Sequence, residues 1–415
     1  MYFVYNLLTN LIFLLSPVIL FFRILKGKED TKRFKEKFCL YNNNNSLKTI
    51  WLHAASVGEL MSIIPVIKKL EKTKSIKKII VTTTTTSSAK VFANFKFKKT
   101  IHKFFPLDTF FFSNQFIKIW KPQVAIFVDS EIWPNMFKNL KEKEIPIIVI
   151  NARITKKSFD RWMMVRSFAE DVFSKISLAL PQNLETKRYL KMLGVKKIEL
   201  AGNLKFYGEK QNISETDPKL NKKLKKFKIW CAGSTHEKEE VIVSNLHKSI
   251  KKKRRKLLTI IIPRHVHRSK EIMEKLNNMG LNVFFHSSKK IIPSNTDIYL
   301  VDTFGESSKF YNLSNISFLG GSIVNHGGQN PLEAVRLRNY ILNGPNIKNF
   351  REVYNYLEKN KISYTTYSSL KMQKIILSKI DKKLPIKYSN KIFKYGNKIL
   401  NTNFLYMNKF LNEIN

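Results

Sequence analysis

Cysteine is nearly absent: Cys39 and Cys231 are the only two in 415 residues. That excludes a disulfide-stapled scaffold and a cysteine-rich metal site, and it fits a reducing, cytosolic setting. Glycine is scarce too, at 14 residues, and none of them forms GxGxxG or GxxxxGK[ST], so the usual dinucleotide and P-loop fingerprints are missing. Acidic residues number 31 against 74 Lys plus Arg, a formal net charge of +43. The excess predicts a surface for acidic partners, but the abundance of Lys, Asn and Ile is equally what compositional drift produces, and both readings stay open. Apolar mass is not lacking. Hydrophobic residues make up 43% and aromatics 12%, which excludes general disorder, and the length suffices for two or three domains.

No charged residue occurs from Met1 to Phe22, a stretch dominated by Leu, Ile, Phe and Val. About 20 apolar residues cross a bilayer, while Asn6, Thr9, Asn10, Ser16 and Pro17 are also compatible with a helix lying in the interface. A cleaved signal fits less well, because a basic leader and a small-residue cleavage site are missing. Arg23, Lys26, Lys28, Lys32, Arg33, Lys35 and Lys37 follow at once, so the positive-inside bias places the body on the cytoplasmic face, against anionic headgroups.

After residue 48, short apolar runs alternate with helical-period segments. The first set is Thr49-Ile50-Trp51-Leu52, Lys78-Ile79-Ile80-Val81, Val124 to Val128, Ile145 to Ile150 and Ile176 to Leu180. The second is Ile229 to Ala232, Leu258 to Ile262, Val283 to Phe285, Ile298 to Val301 and Ile316 to Leu319. Buried strands between helices specify parallel α/β layers. The reading is an anchor over 1–22, a Rossmann-like half over 23–210, a polar linker over 211–226 and a second Rossmann-like half over 227–415, whose last helix can return to the first half. Ligands are expected in a cleft or at strand C-termini.

Residues able to do chemistry cluster behind these strands. His53-Ala54-Ala55-Ser56-Val57-Gly58-Glu59 follows the first, with a helical pattern from near Leu60. A carboxylate there can take a proton from a hydroxyl, or it can simply satisfy helix-start N–H groups. Val128-Asp129-Ser130-Glu131-Ile132-Trp133-Pro134-Asn135 repeats the arrangement, with Pro134 suited to a first helical turn. Gly202-Asn203-Leu204-Lys205 reads as the end of the last strand of the first half. In the second half, Gly233-Ser234-Thr235-His236 and Pro263-Arg264-His265 follow strands, and Arg264 is a candidate fork for phosphate or carboxylate. The run Lys251 to Lys256 reads chiefly as a solvated helix end. Gly320-Gly321-Ser322 through Gly327-Gly328-Gln329-Asn330-Pro331-Leu332-Glu333 concentrates four glycines before a helix start, the pattern of an anion site with Glu333 set for a ribose hydroxyl.

Together with Asp302-Thr303, Gly305-Glu306, Gly344-Pro345 and Asn349-Phe350, these motifs in this order resemble the 3-deoxy-D-manno-octulosonic acid (Kdo) transferases of lipopolysaccharide synthesis. The resemblance implies a GT-B glycosyltransferase, two Rossmann-like domains facing a cleft, with acceptor bound mainly by the first half and CMP-Kdo mainly by the second. It implies Glu59 as general base, and Glu131 and Lys205 as groups stabilising the transition state. Pro263-Arg264, Gly305-Glu306-Ser307 and Asn330-Pro331-Leu332-Glu333 correspond to segments binding CMP-Kdo. The acceptor would be a lipid A precursor (lipid IVA) at the inner membrane, with anionic lipids as further partners, no cofactor, no resident metal and no nucleic acid. Asp129-Ser130 replaces the family's usual Glu-Thr, Ser307 its Leu and Gln329 its His. The competing readings are another nucleotide-sugar enzyme of the same fold, such as an epimerase, and a membrane-tethered nucleic-acid binder. The latter rests on charge alone, without an RRM, KH or zinc module.

Overall fold

In the computed structural model, residues 1–27, 29–41, 47–208, 218–288 and 290–414 are described. The chain divides into two compact units, Met1–Tyr207 with Gly396–Asn415, and Gly208–Tyr395.

The first unit holds β1 (Thr49–His53), β2 (Ile79–Thr83), β3 (Thr100–Phe104), β4 (Pro122–Val128), β5 (Ile147–Ala152) and β6 (Leu178–Pro181). They form a parallel sheet in the order β3-β2-β1-β4-β5-β6. Successive strands step outward in one direction from β1 and in the other from β4, so the sheet switches direction between these two, where open α/β sheets leave a crevice beyond the strand C-termini. His53, the last residue of β1, is in register with Phe127 of β4 and Thr82 of β2. β1 is buried at all five positions, as a strand covered on both faces must be. Trp51 stacks among Phe105, Phe116 and Phe127 and gives its indole N–H to Thr82 Oγ1 at 2.9 Å. Each such fully buried large side chain contributes roughly 1.5–3 kcal/mol.

The second unit holds β7 (Lys228–Thr235), β8 (Leu257–Pro263), β9 (Val283–Phe285), β10 (Ile298–Leu300), β11 (Ile316–Leu319), β12 (Tyr340–Asn343) and β13 (Ser363–Thr365). Their parallel sheet runs β13-β12-β11-β7-β8-β10-β9, with its switch between β7 and β11. Trp230, Leu246, Ile250, Ile261, Leu300 and Phe318 sit in its core.

Three expectations change. The stretch expected as a 211–226 linker carries a helix over Pro218–Leu224, with Leu224 fully buried; residues 211–217 lie outside the described residues. No strand leads into Gly202: beyond β6 the chain makes one isolated bridge, Ala179 to Ile198, and Lys205 lies in the 3-10 turn Leu204–Phe206. The apolar N-terminal helix runs through Tyr2–Leu25, past Phe22, because Arg23 is satisfied by Glu29 at 3.0 Å.

That helix has a mean hydropathy of 2.1 over its most apolar window and, among the described residues, is the one helix long and apolar enough to cross a membrane. It fits an anchor helix. It is also attached to the first unit: Tyr2 meets Phe168 edge-on at 4.9 Å, Tyr5 donates to Asp108 Oδ2 at 2.7 Å, and Phe13 meets Phe112 at 5.2 Å. The last helix, Ile386–Ile414, belongs to the first unit from Gly396 onward. A Cβ at Gly396 would lie 2.3 Å from the carbonyl oxygen of Phe206, so only glycine lets the helix backbone come this close to the Lys205 turn.

Candidate active site

Glu59 sits one turn inside helix Val57–Lys72, which starts three residues before the expected Leu60. Ser56 is the N-cap: its hydroxyl accepts from the Glu59 N–H, and the Glu59 carboxylate reaches back to the N-cap, a complete capping box. Glu59 Oε2 accepts from the Ala55 N–H at 2.7 Å and the Ser56 N–H at 3.3 Å, and Oε1 accepts from Ser56 Oγ at 3.0 Å. These bonds favour the ionised form, but they lose. Burial, followed by the negative charges of Glu131 and Asp129, pushes the Glu59 carboxyl up to about 7. The helix-cap reading is therefore realised: the cap fixes the carboxylate, and its surroundings set its proton affinity.

Glu131 follows β4 directly across the switch from β1. Its Oε2 lies 3.2 Å from His53 Nε2 and 3.0 Å from the Trp133 indole nitrogen, which donates to it. The His53 ring is fully buried, 3.9 Å from Phe105 between centroids, with Nδ1 at 3.0 Å from Thr82 Oγ1. Helix Pro134–Glu142 starts at once, with proline in its first turn. Asp108 accepts the Asn135 and Met136 N–H groups at that start.

Lys205 reaches this group from the 3-10 turn. Its Nζ is 3.1 Å from Asp129 Oδ2, and Asp129 Oδ1 accepts from Asn151 Nδ2, also at 3.1 Å. Asn151 Oδ1 in turn accepts the Leu204 N–H at 2.9 Å. Asp129 and Asn151 both adopt left-handed backbone, φ 58° and 51°, conformations that Asp and Asn tolerate best among residues with a Cβ. Two adjacent strand ends are thus bent to hold one ammonium. Sequence reasoning missed Asn151; the signal was a polar residue closing the apolar run Ile147 to Ile150.

In the second unit, Pro263 is the buried last residue of β8 and Arg264 is exposed just beyond it. Ser307 Oγ donates to Glu333 at 3.1 Å and 3.2 Å, joining two of the expected nucleotide segments. Burial raises the Glu333 carboxyl, against the pull of Ser307 and Arg336. Asn330 Oδ1 caps Leu332 N–H at 3.0 Å, and Leu332 is fully buried, so it supports the segment from below. Gly305 turns the chain at φ 84°. Glu306 is engaged by His286 Nε2 at 3.1 Å, by Thr303 and by Lys309.

The glycine-rich loop corrects an expectation. Three of its N–H groups, those of Gly321, Ser322 and Ile323, are already taken. The carboxylate of Glu239, fully buried, accepts from the N–H groups of Gly321, Ser322 and Ile323 at 2.7, 3.1 and 3.0 Å and from His236 N–H at 3.0 Å. The following helix, Leu332–Arg336, spans only five residues. Glu239 was invisible in sequence because it acts wholly on backbone. Among the described residues no group of three or more His, Cys, Asp or Glu side chains is placed to hold a metal ion.

Comparison with known proteins joins these observations. Residues 32–207 match the family model described as 3-deoxy-D-manno-octulosonic-acid transferase (kdotransferase). The 3-deoxy-D-manno-octulosonic acid transferase of Rickettsia bellii is 34% identical over 340 residues, covering 81% of each chain. That of Haemophilus influenzae is 31% identical over 365 residues, covering 84% of each. Among solved structures, UDP-GlcNAc 2-epimerase from Neisseria meningitidis matches in fold with a TM-score of 0.55 at 14% identity, over 88% of this chain and all of that one. The fold is GT-B, and the chain belongs to the 3-deoxy-D-manno-octulosonic acid transferase family of glycosyltransferases.

Proposed function

We propose that this enzyme transfers Kdo from CMP-Kdo to a hydroxyl of a lipid A precursor (lipid IVA), with inversion and with Glu59 as general base. The observation that carries the reading is Glu59 itself: a carboxyl pushed to about 7 at the switch point of the first sheet, poised to exchange a proton near neutrality. The acceptor hydroxyl gives its proton to the Glu59 carboxylate as its oxygen bonds to the anomeric carbon. On the opposite face the bond to the CMP phosphate breaks, and CMP leaves with the electron pair. Glu131, held by Trp133 beside His53, and Lys205, held by Asp129, supply fixed charges where charge develops. Arg264, Gly305, Glu306, Ser307 and the Asn330–Glu333 segment bind the nucleotide in this reading. Among the described residues no carboxylate pairs with Arg264, which leaves its guanidinium available to an anion.

The reaction belongs at the cytoplasmic side of the inner membrane. Helix Tyr2–Leu25 is fixed to the first unit from Tyr2 to Phe13, which leaves about 12 residues, roughly 18 Å, beyond the last of these contacts. A bilayer core needs about 30 Å. The helix therefore lies in the interface, apolar side down, and the basic excess adds attraction for anionic lipid. Purified enzyme given CMP-Kdo and lipid IVA tests the function: CMP release together with a product heavier by one or more Kdo residues is expected. CMP release that is independent of acceptor, with no heavier lipid, would reject it.

A further inference from the structure

Four of the eight histidines gather at the C-terminal ends of the second sheet. His236, after β7, stacks on His326, after β11, with ring centroids 4.2 Å apart and planes 20° from parallel. His265, after β8, meets His236 edge-on at 6.0 Å, and His267 lies 5.6 Å from His265. A Cβ at Gly321 would come within 3.3 Å of both His236 and His326, so this glycine makes room for the stack. The charged groups facing it are almost all basic: Arg264 and Arg268 from the loop after β8, and the imidazoles themselves. Of the two carboxylates nearby, Glu239 is consumed by four backbone N–H groups and Glu240 by Arg268 at 3.2 Å.

We propose that His236, His265 and His326, with Arg264, form an oxyanion subsite that takes up a proton as it binds a phosphoryl or carboxylate group of the donor. The assignment rests on the reading of CMP-Kdo as donor and adds residues to it. Unliganded, His236 is held neutral by burial and by its cationic neighbours, down to about 4. An oxyanion at the ring edges, among the imidazole nitrogens, reverses that balance. Gln329 suits both states: its amide nitrogen lies 3.2 Å from His236 Nε2, donating to the bare ring nitrogen, and turning the amide end for end presents its oxygen to the protonated one.

The test is calorimetric titration of the full chain with CMP and with cytidine, in two buffers of different ionisation enthalpy. Native protein should take up protons with CMP, and its CMP affinity should fall about tenfold from pH 7 to 8.5, above the range where the phosphate itself titrates near about 6. Cytidine should show neither effect. In H265N/H326N, CMP affinity should drop about tenfold with cytidine binding unchanged. If instead CMP binding is unchanged while the KM for CMP-Kdo rises by that factor, the Kdo carboxylate is the bound anion and the subsite stands. Native protein that binds CMP and turns over CMP-Kdo, but without proton uptake or a pH effect on either ligand, would overturn the subsite alone. No CMP binding at all would overturn the donor reading and the subsite with it.

Discussion

Replacing Glu59 with glutamine separates what this side chain does for the helix from what it does for a proton. Glutamine serves in capping boxes, so its carbonyl oxygen can keep the Ala55 and Ser56 N–H groups and its amide can donate to Ser56 Oγ; the helix start should survive. Turnover should fall by roughly 10²-fold or more with donor affinity retained. Stability should move the other way. The carboxyl is raised from 4.5 to about 7 in the folded protein, so its contribution to stability is complete below the unfolded value and is lost as pH rises through the folded one. For a mostly buried group, that rise corresponds to about 3 kcal/mol at most, of which roughly 2 kcal/mol disappears between pH 5 and pH 8. E59Q does not ionise. Relative to native protein it should therefore gain about 2 kcal/mol on going from pH 5 to pH 8, read from urea midpoints of the two proteins side by side. The kinetic counterpart is that native kcat at saturating substrate rises about tenfold from pH 6 to pH 8, and E131Q, by removing one of the raising charges, flattens that rise. A folded E59Q with near-native turnover, or a stability difference that ignores pH, would refute the reasoning.

The Asp129→Asn exchange keeps the shape but removes the charge that holds Lys205; kcat should fall at least tenfold with KM for donor nearly unchanged, measured by CMP release. Arg264→Lys keeps charge and loses the planar fork, so the donor KM should rise several-fold; identical kinetics across a full titration would make Arg264 structural. Glu239→Gln faces an amide NH2 toward backbone N–H groups and should destabilise the second unit by about 3 kcal/mol in urea unfolding, sparing the first. Protein beginning at Arg23 should pellet with anionic liposomes in low salt but release in high salt, where full-length protein stays bound.

Most of the interior of both sheets could be read from sequence because parallel strands covered on two faces are written as unbroken apolar runs, as in Val124 to Val128 and Leu258 to Ile262. The inner strand β12, only four residues long, could not, nor could one edge of each sheet. β3, Thr-Ile-His-Lys-Phe, is buried only at its two ends, and β13 is a three-residue strand at the same kind of position, the rim of the second sheet; neither carries the hydrophobic run that central burial demands. Helix Pro218–Leu224 escaped notice because, among the described residues, Leu224 is its single fully buried side chain. At the candidate site, groups acting through their own side chains stood out as motifs, Glu59, Glu131 and Arg264 among them. Asn151 and Glu239 did not, since each is tied to backbone N–H groups far along the chain, 53 and more than 80 residues away.

The shortage of acidic residues sharpens the meaning of each one. A carboxylate placed against backbone N–H groups does the work of several neutral caps, and this chain uses its acids that way repeatedly. Glu36 takes the Phe104 N–H as well as Arg33, Glu71 the N–H groups of Lys98 and Lys99, Asp108 those of Asn135 and Met136, Asp297 that of Asn282, and Glu239 four at once. In most of these the hydrogen bonds come from fixed donors with no rival carboxylate, and for Glu36, Glu71 and Asp297 they win over burial and lower the carboxyl. Glu59 is built from the same parts, yet its balance is tipped upward by burial and then by two further acids, Glu131 and Asp129, in a protein that has 31 acids against 74 bases. Three carboxylates brought to one switch point cost stability, and where basic residues are so plentiful nothing about packing requires it. The proton transfer proposed for Glu59 does.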